Sequence, residues 1–93
     1  MILEIVSAEA KLFTGEVTAI TLPGVDGSFQ ILNNHAPIVS LLKNGTVKIS
    51  GTEFSVGIAE SSQLKKISNQ LLTLDISSGT IEMKDNKLIL LAD

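Results

Sequence analysis

Ninety-three residues fit one domain, and a chain that short buries only about 60–65% of the surface its unfolded form exposes. A net charge of −3, with seven lysines and no arginine, speaks against a nucleic-acid partner, because phosphate binding draws on clustered Lys and Arg. The absence of cysteine excludes disulfides and thiolate metal sites, and with no Trp, no Tyr and three Phe the core has to be aliphatic.

The hydrophobic share of 44% fits either a tight two-sheet core or a surface that docks onto another protein. No apolar run approaches the ~20 residues of a membrane helix, and no basic region precedes an apolar stretch at the start, so no signal peptide is read. Thr14-Gly15 is the first turn signal. Pro23-Gly24-Val25-Asp26-Gly27 is a glycine-rich loop, followed by Ser28-Phe29-Gln30-Ile31-Leu32, which reads as a strand. Asn44-Gly45 is the strongest hairpin signal, since type I′ turns need positive φ at both central positions. In Thr46-Val47-Lys48-Ile49-Ser50 apolar residues fall at every second position, as in a half-buried antiparallel strand. Residues 52–70 are ambiguous. Phe54, Val56 and Ile58 alternate as a strand would, whereas Leu64, Ile67 and Leu71 also fit one face of a helix; strands joined by an extended hairpin are the favoured reading. Leu72, Leu74 and Ile76 alternate again, as do Ile81 and Met83. Ser77-Ser78-Gly79, with Gly79 supplying positive φ, and Lys84-Asp85-Asn86-Lys87 are turns. Many short strands and frequent turns predict an all-β sandwich or barrel, with no linker, repeat or low-complexity tract to mark a second domain.

Little in the chain suggests covalent chemistry. His35 is the single histidine, and no nucleophile motif surrounds the nearby serines or Asp26. A zinc site would need carboxylates for its remaining ligands. In Asn33-Asn34-His35-Ala36-Pro37 the proline drives Ala36 toward extended geometry, and the asparagines suit left-handed conformations, so His35 can hold a corner by bonding its backbone. The two glycines at 24 and 27 are followed by a strand, not a helix N-terminus, so they permit a tight loop and do not cradle phosphate.

The block from Pro23 to Leu42, PGVDGSFQILNNHAPIVSLL, resembles the signature of the epsilon subunit of rotary F-type ATP synthases (delta in mitochondrial naming). The opening Leu3-Glu4-Ile5-Val6-Ser7-Ala8-Glu9 resembles that family's first strand and corner. Leu12-Phe13-Thr14-Gly15-Glu16-Val17 resembles its aromatic–small–Gly turn, and Ile81-Glu82-Met83 with Leu88-Ile89-Leu90-Leu91-Ala92-Asp93 resembles its last hairpin. The chain departs from the pattern at Gln30 (usually Gly), Asn33 (usually Pro) and Asn34 (often Gly), and residues 52–70 look like an insertion.

The resemblance implies a sandwich of about ten short antiparallel strands over residues 1–93. Because the chain stops at Asp93, it also implies a short form that lacks the family's C-terminal helical hairpin, its inhibitory arm and its nucleotide site. It implies a non-catalytic, cofactor-free central-stalk subunit that fastens the γ subunit to the c-ring and couples proton-driven rotation to ATP synthesis, at the cytoplasmic face of the bacterial inner membrane. Carried over by position, Ser7, His35, Val39, Ser40 and Leu42 face γ, and Asp26, Gly27 and Ser28 meet the ring. From the residues alone, a free-standing β-sandwich that binds a peptide or glycan competes with this reading, and a small enzyme has the least support.

Overall fold

The structure is a computed structural model, and it describes residues 1–54 and 63–93. Those residues form ten strands and no helix: β1 (Ile2–Ser7), β2 (Lys11–Glu16), β3 (Ala19–Gly24), β4 (Gly27–Leu32), β5 (Ile38–Leu42), β6 (Gly45–Ser50), β7 (Leu64–Ser68), β8 (Leu71–Ile76), β9 (Gly79–Lys84) and β10 (Lys87–Ala92). They hydrogen-bond in the order β2-β1-β10-β9-β5-β3-β6-β8-β7, with β4 on the free side of β3. The β3–β5 junction is a single pair, Gly24 opposite Leu42, whereas β3 and β6 share three pairs and β5 and β9 share five. The sheet folds over at that junction into two layers, β2-β1-β10-β9-β5 and β4-β3-β6-β8-β7. The ends of the strand order meet again where Phe13 of β2 packs edge-on against Phe54, ring centroids 6.2 Å apart, while Lys66 of β7 donates to the Phe54 carbonyl.

The all-β sandwich expectation is met, with one ladder of opposite sense. β1 and β10 run parallel, Ile2 opposite Lys87 through Ser7 opposite Ala92. Parallel neighbours cannot be joined by a tight turn. Here they are the first and last strands, and the rest of the fold is their connection.

The core follows from period-two alternation. Across the first layer one inward row reads Ser40, Ile81, Leu90, Ile5, Phe13 from β5 to β2. Its last four members are buried. From the second layer Ile20, Leu22, Ile31, Val47, Ile49, Leu72 and Leu74 close the same cluster. No polar side chain is buried among the described residues, so the interior is held by aliphatic burial.

Three turn readings need correction. Thr14-Gly15 lies inside β2, with Gly15 opposite Leu3. Asn44-Gly45 does not close a hairpin, because β5 and β6 do not pair; the corner carries the chain from one layer to the other, and Lys43 N–H donates to the Pro23 carbonyl across it at 2.9 Å. Ser77-Ser78-Gly79 is likewise a crossing between layers, and Gly79 does not have positive φ. Gly79 is required for space: a Cβ there would lie 2.6 Å from the Leu91 carbonyl oxygen. Gly79→Ala is therefore expected to lower stability by about 1–3 kcal/mol, read as a fall in melting temperature by circular dichroism. The type I′ hairpin is Asp85-Asn86, with φ of 53° and 60°.

Within the ambiguous stretch, Leu64–Ser68 and Leu71–Ile76 form an antiparallel hairpin. The favoured strand reading therefore holds for Leu64, Ile67 and Leu71. Phe54 is buried but lies outside any strand, and Val56 and Ile58 fall outside the described residues.

Candidate functional site

The outer faces of the two layers differ in chemistry. Across the second layer, one outward row from β4 to β7 reads Gln30, Thr21, Lys48, Thr73, Lys65. Beside it, Thr46 Oγ1 donates to Asp75 at 2.7 Å and Lys65 pairs with Asp75 at 3.9 Å. Leu32 and Ile67 are exposed apolar side chains of that layer, one near each margin.

The first layer presents three outward rows. The first reads Leu41, Thr80, Leu91, Val6; the second Val39, Glu82, Ile89, Glu4; the third Lys84, Lys87, Ile2. Exposure reaches 73% at Val39, 60% at Leu41 and 52% at Leu91. Next to Leu41 lies Val25, 50% exposed, whose N–H donates to the Leu41 carbonyl at 3.2 Å. Val25, Leu41 and Leu91, with Thr80, Ser78 and Asp93, line a shallow hollow at one end of the face. A cluster of large apolar side chains left in water on one sheet face is the signature of a docking surface.

Two corners bound this face. At the Ile38 end of β5 lies the His35 corner. Asn34 takes the left-handed conformation expected of it, φ 63°, and its N–H donates to Asn86 Oδ1 at 2.8 Å. His35 N–H donates to the Leu32 carbonyl at 3.3 Å. The Ala36 carbonyl can only accept, so the 2.7 Å contact to His35 Nδ1 places a proton on that nitrogen. Asn33, where the resemblance would have Pro, accepts through Oδ1 from the Met1 amino group. At the Leu42 end, roughly 13 Å away along five strand residues, projects the β3–β4 hairpin tip. Asp26, Gly27 and Ser28 are all exposed there. Gly27 has φ of 125°, and a Cβ on Gly24 would lie 2.7 Å from the Gly27 carbonyl oxygen, so both glycines serve the tight turn, as the sequence predicts.

The structure separates the residues that resemblance groups together. Val39 points outward in the second row. His35 lies at one end of the face. Ser7 lies at the other, opposite Ala92, where its Oγ accepts from Ala10 N–H at 3.2 Å and closes the β1–β2 corner. Ser40 is half-buried on the inward row beside Ile81, and Leu42 is 3% exposed in the core. Leu42 therefore offers no side chain to an outer partner, and Leu41, Leu91, Val25 and Val6 do. Sequence reasoning missed these four. The available signal was a strand apolar on both faces: Leu88, Ile89, Leu90 and Leu91 fill both phases of β10, as Ile38, Val39, Leu41 and Leu42 do in β5. Gln30 sits exposed on β4 opposite Thr21, clear of the hairpin tip. No group of three or more His, Cys, Asp or Glu placed to hold a metal occurs among the described residues.

Comparison with known proteins gives consistent matches. The family described as "ATP synthase, Delta/Epsilon chain, beta-sandwich domain" matches residues 1–93. An ATP synthase epsilon chain of Chlorobium limicola is 37% identical over 91 residues, 98% of this chain and 86% of its own length. One from Leptospira borgpetersenii is also 37% identical, over 89 residues, but the match spans only 58% of that protein. Among solved structures, a chain from the central stalk and c-ring of the Tetrahymena thermophila mitochondrial ATP synthase superposes with a TM-score of 0.75 at 17% identity, over 99% of this chain and 62% of its own. At that identity the likeness is one of fold.

Proposed function

Because the chain belongs to the family of ATP synthase delta/epsilon β-sandwich domains, we propose that it is a non-catalytic central-stalk subunit of a rotary F-type ATP synthase. As a single sandwich domain it joins the γ subunit to the c-ring, so that rotation driven by proton flow turns γ and drives ATP synthesis in the catalytic head. It carries no cofactor and sits at the cytoplasmic face of the bacterial inner membrane, held there by the complex.

The observation that carries this reading is the outward apolar face of the first layer, with the His35 corner at one end and the β3–β4 tip at the other. γ covers the rows through Val39, Leu41 and Leu91, with His35 and Ser7 at their margins. The exposed tip of Asp26, Gly27 and Ser28 meets the polar loops of the ring. A junction that carries torque has to be stiff and has to bury enough surface, typically over roughly 1,000 Å² in total. A face of strand-borne side chains backed by a continuous aliphatic core supplies the stiffness, because close-packed interiors transmit strain.

Co-purification of this chain with the γ subunit of the same source tests the reading. A stable one-to-one complex is the expected result. A folded domain that never associates with γ would favour a free-standing binding module instead. In the assembled complex, Asp26→Cys is expected to cross-link to a c-subunit loop, whereas Lys48→Cys, on the polar face of the other layer, is not.

A further inference from the structure

We propose that Asn86 is a positioning residue for the His35 corner. From the neighbouring β9–β10 turn at the same end of the layer it holds residues 33–37 in the shape presented to the partner, and this rests on the docking reading above. Beyond the contact of Asn33 Oδ1 with the Met1 amino group, the corner has little support of its own. Residues 33–37 belong to no strand and are all exposed. Their backbone is tied by two hydrogen bonds that reach outside the segment, His35 N–H to the Leu32 carbonyl at 3.3 Å and Asn34 N–H to Asn86 Oδ1 at 2.8 Å. The first is local. The second spans 52 residues of sequence and is the shorter.

Asn86 is itself well anchored. It occupies the second central position of the type I′ turn between β9 and β10, and its carbonyl accepts from Ile2 N–H at 3.1 Å, which fixes the turn to β1. Turn chemistry does not demand asparagine there. Glycine suits positive φ best, and Asp-Gly is among the pairs that type I′ turns most favour. What asparagine adds is an acceptor oxygen, and that oxygen is aimed at the left-handed Asn34, whose N–H would otherwise point into solvent. Two residues in the same rare conformation, one on each side of the layer's end, thus meet through a side chain that the turn alone does not need.

This separates the tether from the turn. Asn86→Gly keeps the hairpin and removes only the acceptor; Asn86→Asp keeps a carboxylate oxygen at the same place. Amide hydrogen exchange by NMR on the free domain, melting temperature, and affinity for γ are measured for both variants and the wild type. For Asn86→Gly, exchange at Asn34 is expected to accelerate about tenfold and γ affinity to fall about three- to tenfold, the weight of one hydrogen bond. Its melting temperature is expected to fall by no more than about 5 °C, since the turn is preserved and one hydrogen bond is lost. Asn86→Asp is expected to behave as wild type in all three. Unchanged exchange at Asn34 in Asn86→Gly, an Asn86→Asp variant as impaired as Asn86→Gly, or faster exchange with unchanged affinity would each overturn the proposal. Failure of the wild-type domain to bind γ would strike the docking reading instead, and the exchange pattern would then decide the tether by itself.

Discussion

Leu41→Glu is expected to abolish binding to γ at concentrations where the wild-type domain is saturated, without unfolding the domain. Leu41 is 60% exposed and stands in an outward row with Thr80, Leu91 and Val6. In the free domain a glutamate there is solvated, so stability is expected to change by no more than about 0.5–1 kcal/mol. In the complex the same carboxylate has to leave water against an apolar surface, at a cost of roughly 2–4 kcal/mol, or about thirty- to a thousandfold in affinity. Ser40→Glu is the internal contrast. One residue earlier on the same strand, it places the carboxylate on the inward row beside Ile81, so it is expected to lower the melting temperature of the free domain. Isothermal titration with γ and thermal unfolding by circular dichroism separate the two effects. A folded Leu41→Glu domain that still binds tightly would show that γ covers a different face.

Leu90→Ala is expected to cost about 2–5 kcal/mol, the range for truncating a leucine in a packed core. Leu90 has no exposed surface and lies between Ile5 on β1 and Ile81 on β9. β10 is an inner strand of its layer, and neither a disulfide nor a buried polar network backs up the aliphatic packing around it. A domain of this size is stable by roughly 5–14 kcal/mol in all, so the substitution takes a large part of the margin. For a chain this short that corresponds to a fall of roughly 10–25 °C in melting temperature. A shift of only a few degrees would mean that the two layers can settle together around the missing side chain.

The strands were legible because their period is two. Val47 and Ile49, Leu72 to Ile76, and Ile81 with Met83 all point where their alternation says. The turns were less legible, because a turn residue shows that the chain bends and not which strands then pair. Asn44-Gly45 has the composition of a hairpin, yet it serves a crossing between layers, and Gly79 answers to the approach of the Leu91 carbonyl instead of to φ. Close contacts of that kind link residues distant in sequence and leave no local pattern. The proposed face was partly legible. The His35 corner announced itself through Asn34, Ala36 and Pro37. Leu42, which the resemblance puts on that face, is 3% exposed and its neighbour Leu41 60%; one residue in a strand is a change of side. Fixing that phase needs the pairing of β5 with β9, Ser40 opposite Ile81. The Asn86 contact to Asn34 is likewise a product of the fold.

The parallel pairing of β1 with β10 sets a timetable for biosynthesis. β1 is made before β2 and finds it at once through a short corner, but its other edge stays bare until β10 has been made. Long-range pairings of this kind are slow to form, and an unpaired edge is a template for wrong partners. The face assigned to γ is built from β5, β9, β10 and β1 together, so it does not exist on any nascent or truncated chain. A partner that reads all of its rows thereby inspects the finished fold, and a domain whose β10 has failed to insert offers it no complete face.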